Sequence, residues 1–241
     1  MRLQVHPIYD EILTAKAQSR KLLAILLDPD KIVWESLDQM IAKINLSPAT
    51  HILIGGSHVT SNDIDKLISE IKKGCRLPIV LFPGNPSQIS HEADGILFLS
   101  LISGRNPDFL IEHQVKAAPI LKKSRLEIIP TGYILIEGGN PTAVEKVSQT
   151  KPLSRTNIEK VVATAQAGEM LGKKLIYLEA GSGADLAVPL EIITAVSKNT
   201  DVPLIVGGGI RNKTGIQAAH DSGADLVVIG TAFENDMHFF E

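Results

Sequence analysis

Cysteine is nearly missing from this chain. Cys75 stands alone among 241 residues, which excludes an intrachain disulfide and any zinc site built on several thiolates. An excess of positive charge is missing too. Lys and Arg number 24 against 27 Asp and Glu, a formal −3, far from the cationic field that nucleic-acid binding needs. The two signs are interspersed, as on an ordinary solvated surface. The longest apolar run, LLAILL at 22–27, is far too short to span a bilayer. The opening MRLQVHPIYDE lacks an apolar signal core. The seven histidines form no HxH or HExxH pair, which argues against transition-metal ligation. Together these absences predict a soluble, cytoplasmic protein with no nucleic-acid partner.

What the chain does have is rhythm. Short apolar runs recur from end to end: LLAILLD (22–28), HILIGGS (51–57), LPIVLFP (77–83), GILFLSL (95–101), LEIIPTGYILIEGG (126–139), KLIYLEAG (174–181), PLIVGGG (203–209) and DLVVIGT (225–231). Continuous Leu/Ile/Val runs separated by amphipathic segments predict parallel strands buried on both faces. SNDIDKLISEIKK (61–73) opens with Ser61 or Asn62 at the N-cap position and closes on Lys72, Lys73 and Gly74, a good start and stop pair for a helix. YDEILTAKAQSRK (9–21), ahead of the first strand, is placed to cover the bottom of a barrel. The third strand is followed only by GNPSQISHEA (84–93), short for a full crossover helix. The pattern predicts one domain, 1–241, as a (β/α)8 barrel with a modified third βα unit. A doubly wound open sheet is the rival, disfavoured because no G-x-G-x-x-G follows the first strand.

In such barrels chemistry sits at the C-terminal strand ends, and phosphates bind at the loops after the last two strands. Those loops read VGGGIRNKTG and IGTAFE, so Gly208, Gly209, Gly230 and Thr231 are candidate phosphate contacts through backbone N–H groups. The plainer reading is a tight βα turn. YLEAGSGA puts Tyr177 and Glu179 on one strand face, and that face is expected to be the barrel mouth, across from the phosphate loops. Glu179 is then a candidate general base, with Tyr177 orienting. Its plainer role is to accept backbone N–H bonds as a cap. Asp28 at the end of LLDPDK and Ser57 at the end of IGGS bring two oxygens toward a diphosphate, an arrangement suited to Mg²⁺. The alternative for DPDK is a helix N-cap and turn. Phe98, Leu101, Phe109 and Tyr133 are candidates to line an apolar groove, or else core. Phe239 and Phe240 are expected to pack under the barrel or in a subunit contact.

LLDPDK, IGGS, YLEAGSGA, VGGGIR and IGTAFE, in that order, resemble the geranylgeranylglyceryl phosphate synthase family, the PcrB-like prenyltransferases. EGGNPTAVEKVSQTKPL is more similar to the family's second group. The resemblance implies ether-bond formation between sn-glycerol 1-phosphate and a polyprenyl diphosphate. It implies that Asp28 and Ser57 bind magnesium. It implies that Tyr177, Leu178, Glu179, Ala180, Gly181, Ser182 and Gly183, with Gly208, Gly209, Gly230 and Thr231, hold glycerol 1-phosphate. A homo-oligomer, dimer or hexamer, and a product that partitions to the membrane go with it. Two other functions stay open on the residues: a phosphosugar isomerase or lyase, for which no strand-end lysine is found, and a phosphate-binding or scaffold barrel without turnover.

Overall fold

A computed structural model describes residues 7–56, 59, 63–236 and 238–240. Eight parallel strands close into a barrel in sequence order. They are β1 (Leu22–Leu27), β2 (His51–Ile54), β3 (Ile79–Leu81), β4 (Gly95–Leu101), β5 (Glu127–Leu135), β6 (Leu175–Glu179), β7 (Leu204–Gly207) and β8 (Leu226–Ile229). The barrel shuts where β1 pairs with β8, Leu22 opposite Leu226 and Ala24 opposite Val228.

Each strand is apolar on both faces because both faces are covered. Along β1, Leu22 and Ala24 point into the barrel with Leu53, Val80, Leu97 and Leu175. Leu23, Ile25 and Leu27 point outward to the helices. Burying one such side chain stabilises the fold by about 1.5–3 kcal/mol. Helix α1 (Pro7–Ala17) comes before the barrel, and the helices between strands begin with α2 (Leu37–Leu46). Helix α3 (Ile64–Gly74) shows the pattern most simply. Ile64, Leu67, Ile68 and Ile71 are buried at the spacing of one helix face, and Lys72 and Lys73 lie in the last turn, where the dipole favours cations. The expected caps Ser61 and Asn62 lie outside the described residues.

Helix α1 plugs the bottom, as expected. Ile8, Ile12 and Ala15 join the interior cluster. Its first turn is tied down by Glu127 at the start of β5, whose carboxylate accepts the N–H of Ile8 at 2.8 Å and of Tyr9 at 2.9 Å. The third unit is irregular, also as expected. After β3 the chain makes only a 3-10 turn at Pro86–Gln88. Asn85 caps that turn by accepting the Ser87 N–H at 2.8 Å. No α-helix intervenes before β4. After β4 a π-helical turn, Asp108–Glu112, runs straight into α4 (His113–Leu121). Then come α5 (Ala143–Ser148), α6 (Ile158–Met170), α7 (Leu190–Asn199), α8 (Lys213–Asp221) and a short α9 (Thr231–Asn235).

At the chain end the first of the two expected placements does not hold. Phe239 and Phe240 do not lie under the barrel. Phe240 packs on Phe233 with ring centroids 6.2 Å apart, and Phe239 borders the cavity at the C-terminal mouth.

Glu127→Ala would leave the first N–H groups of α1 without their buried acceptor. The expected cost is about 1–3 kcal/mol, read as a lower urea midpoint at unchanged slope. An unaltered midpoint would show that α1 is not held through this carboxylate.

Candidate active site

Strand β6 ends on Glu179, which pairs across to Gly207 of β7. Alternation turns Leu175, Tyr177 and Glu179 inward, so the carboxylate stands at the top of the barrel interior. It is only 5% exposed. Its Oε1 accepts the Gly181 N–H at 2.7 Å. Burial pushes the carboxyl up to about 7, opposed by that N–H and by Tyr177. Desolvation therefore brings an acid of ordinarily low pKa to the poise a general base needs.

The plainer capping reading is partly met, since Glu179 does accept a backbone N–H. The bond closes the carboxylate's own turn, however, and not the following helix. Helix α7 starts behind Pro189 with no side-chain cap.

Glu179 does not face the phosphate loops across the mouth. It adjoins the first of them. A Cβ added to Gly207 would sit 2.5 Å from the Tyr177 hydroxyl and 2.9 Å from Glu179 Oε2, and one on Gly208 would overlap Glu179 Oε1. Gly208 also holds φ of +79°, a conformation that glycine adopts without steric cost. The carboxylate fits only because these positions have no side chain.

Three aromatic rings wall the interior side. Tyr177 packs on Phe82 at 5.3 Å and on Tyr133 at 5.4 Å between centroids. Burial and the nearby Glu179 charge keep both tyrosine hydroxyls well above the usual phenol range. They therefore stay protonated. The Tyr177 hydroxyl is fully buried beside the Glu179 carboxylate, which acts on it through its charge and through hydrogen bonding. Tyr177 also borders a cavity at the barrel mouth.

That cavity encloses about 730 Å³ and brings together Asp28, Tyr177, Glu179, Gly181, Ser182, Gly183, Gly208, Gly209, Gly230 and Thr231. Two expected residues stand apart. Leu178 and Ala180 point outward into the core under the helices, and the Ala180 N–H is committed to Gly207 O. Ser57 lies outside the described residues. Asp28 does cap its own turn, accepting the Asp30 N–H on Oδ1 at 3.1 Å. Its Oδ2 faces Lys31 at 3.5 Å.

Lys31 and Glu234 were not foreseen. Glu234, on α9, accepts the Asp28 N–H at 3.2 Å and the Lys31 ammonium at 3.0 Å. A lysine does stand at a strand-end loop after all, held by two carboxylates. The one sequence signal for it was its place in DPDK.

A second, apolar groove opens beside the cavity. Phe98, Leu101, Phe109 and Tyr133, the four candidates, all line it. So do Pro83, Gly84, Pro86 and Ile89 from the helix-less third unit, and His113 and Ala117 from the helix after β4. The groove and the cavity share Gly56, Phe82, Tyr133 and Val144.

A closed barrel with glycine loops and a buried carboxylate at its C-terminal mouth fits the (β/α)8 enzymes that bind phosphate there. The apolar groove adds a surface suited to a hydrocarbon chain. The PcrB family matches residues 16–240, and the chain belongs to it. Over 234 residues it is 66% identical to the geranylgeranylglyceryl phosphate synthase of Flavobacterium johnsoniae, covering 97% of this chain and 96% of that one. The synthase of Korarchaeum cryptofilum is 40% identical over 215 residues, 89% of this chain and 88% of the other. The (S)-3-O-geranylgeranylglyceryl phosphate synthase of Thermoplasma acidophilum, solved with its substrate sn-glycerol-1-phosphate, superposes with a TM-score of 0.90 at 30% identity, covering 97% of this chain and 94% of that one. The chain is an enzyme of this family.

Gly208→Ala would drive a methyl group onto Glu179 and the Gly181 turn. A displacement of that kind is expected to lower turnover about a hundredfold. Gly215→Ala, whose new methyl would meet only ordinary contacts at 3.4 Å, should stay near wild type. Equal turnover in the two variants would free Glu179 from dependence on this close approach.

Proposed function

We propose that the enzyme joins sn-glycerol 1-phosphate to a polyprenyl diphosphate, geranylgeranyl or longer, through an ether bond, with Mg²⁺ as its metal. One observation carries this reading: the polar cavity holding Glu179 and the apolar groove meet at Gly56, Phe82 and Tyr133. A small phosphorylated alcohol and the head of a prenyl chain would therefore come together beside a buried base. The names of its relatives support the same pair of substrates.

Glycerol 1-phosphate would lie with its phosphate on the backbone N–H groups of Gly208, Gly209, Gly230 and Thr231. Its glycerol end would lie along Tyr177 to Gly183. The Tyr177 hydroxyl, beside Glu179, would orient the carboxylate toward one substrate hydroxyl. The Glu179 carboxylate takes the proton of the hydroxyl that attacks. The new C–O bond forms at the first prenyl carbon as its bond to the diphosphate oxygen breaks, and the diphosphate leaves with the electron pair. The aromatic faces of Phe82, Tyr133 and Tyr177 surround the place where that carbon would carry positive character.

The donor set fits a hard divalent cation. Asp28, Glu179, Glu234 and Asp236 line the cavity against only Lys31 and Arg211, so two anionic substrates need further positive charge there. Mg²⁺ usually keeps waters and shares substrate oxygens, so it asks for few protein ligands. Asp28 and Ser57 would hold it. When bound, the metal would supply charge that stabilises the departing diphosphate.

No helix among the described residues is long and apolar enough to cross a membrane. The same reading carries a cytoplasmic homo-oligomer, dimer or hexamer, whose product partitions into membranes.

The direct test is incubation with glycerol 1-phosphate, Mg²⁺ and labelled prenyl diphosphates of several lengths, with product extracted into organic solvent. Label in the organic phase is expected, and EDTA should abolish it. Two anchored ends make the site sensitive to the hand of the central carbon. sn-Glycerol 3-phosphate is therefore expected to bind ten- to a hundredfold more weakly, the loss of about 1–3 kcal/mol for a missed buried hydrogen bond. No extractable product with any donor would leave a binding barrel without turnover.

The base has its own signature. Because the carboxylate is the working form, turnover should rise with pH through about 7 and level off above it. Glu179→Gln should remove that limb and lower turnover by about two to four orders of magnitude, with glycerol 1-phosphate still bound. A flat wild-type profile between pH 5.5 and 8.5 would assign the proton to another group.

A further inference from the structure

The cations of the cavity stand on different sides of it. Arg211 donates to Ala184 O at 3.0 Å and lies 3.6 Å from Asp185, on the side of the β6 and β7 loops. Lys31 lies on the Asp28 side, 3.0 Å from Glu234 Oε2 and 3.5 Å from Asp28 Oδ2. We propose that Lys31 binds the diphosphate of the prenyl donor, and that Glu234 is the residue that positions it. This rests on the prenyltransferase reading and adds to it a protein cation for the leaving group.

Geometry brings the diphosphate to this lysine. Gly56 borders both the groove and the cavity, and a Cβ there would lie 3.4–3.5 Å from the Asp28 carboxylate. The head of a chain lying in the groove would thus emerge against Asp28. Any diphosphate oxygen drawn there comes within reach of an ammonium 3.5 Å from the same carboxylate. An ammonium has three N–H donors. One serves Glu234, a second points toward Asp28, and a third is left for a ligand.

Charge gives the reason for the pair. Without Lys31, Asp28 and Glu234 would repel each other and repel a diphosphate as well. Glu234 is suited to positioning because its two oxygens do different work. Oε1 holds the Asp28 N–H at 3.2 Å, while Oε2 holds the Lys31 ammonium at 3.0 Å. One side chain on α9 thereby fixes both the backbone of the candidate metal ligand and the head of the lysine.

The test separates this assignment from the parent reading by using two probes. Inorganic pyrophosphate with Mg²⁺, and glycerol 1-phosphate alone, are titrated calorimetrically into wild type, Lys31→Met, Lys31→Arg and Glu234→Gln. Lys31→Met is expected to weaken pyrophosphate about tenfold or more, as for a lost hydrogen bond between charged groups. Its glycerol 1-phosphate affinity should stay within about twofold, and Lys31→Arg should restore most of the loss because it keeps the charge. Glu234→Gln keeps an acceptor for the Asp28 N–H and removes the charge opposite Lys31. It should raise KM for the prenyl diphosphate more than it lowers kcat, with no further loss when combined with Lys31→Met. Unchanged pyrophosphate affinity in Lys31→Met overturns the proposal. Equal losses for both probes overturn it too, since they would mark a collapsed mouth. If wild type binds glycerol 1-phosphate but not pyrophosphate, this assignment fails while the acceptor site stands. If it binds neither, the prenyltransferase reading falls and takes the assignment with it.

Discussion

A carboxylate removed from water must be compensated by the protein or become protonated, and at the end of β6 both happen in part. Glu179 receives one backbone N–H from Gly181, which falls short of what bulk water would give. Its pKa accordingly settles near 7. The rest of the mouth follows from keeping that carboxylate buried. Gly207 and Gly208 have no side chains because a methyl group at either would strike Glu179. Tyr177 is fixed below it by Phe82 and Tyr133. A carboxylate that is half protonated near neutral pH also repels a neighbouring phosphate less than a fully ionised one. An acidic side chain could in that way adjoin the candidate anion-binding loop.

The irregular third unit serves the same end from the other side. Where a regular barrel would pack a helix outside β3 and β4, this chain has a capped 3-10 turn. The outward faces of Ile96 and Phe98 are left to line a groove with the following helix. A crossover helix there would fill the groove with its own side chains. Without that helix an apolar channel meets a polar cavity at Gly56, Phe82 and Tyr133, and that junction is what the proposed pair of substrates, a charged alcohol and a prenyl chain, would require.

Much of this was legible in the sequence because it rests on short-range rules. Apolar runs gave the strands, alternation placed Tyr177 and Glu179 on the inner face, and the shortness of residues 84–93 gave away the irregular unit. What escaped was long-range. Alternation assigns a face but not the neighbours on it, so Glu179 was expected across from loops that it in fact touches. Lys31 meets Glu234 across 203 positions, and no local pattern announces such a pair. Phe239 returns to the mouth because α9 ends after one short stretch and Phe240 finds Phe233 there. Leu178 and Ala180 sit inside the YLEAGSGA stretch, yet face the helices. A stretch that runs along a strand necessarily includes residues from both faces.

Glu234 shows how little machinery is needed to make the two halves of the mouth one object. It sits on the helix that begins at Thr231, directly after Gly230, and its carboxylate holds the loop that carries Asp28 and Lys31. The loop after the last strand and the loop after the first are adjacent because the barrel closes between β8 and β1. Closure therefore does more than bury edges. It sets the loops proposed for the acceptor's phosphate beside the residues proposed for the donor's diphosphate, so that a single side chain spans the seam. The same strand order left open between β8 and β1 would put the two at opposite edges, with Asp28 and Glu234 too far apart to share a lysine.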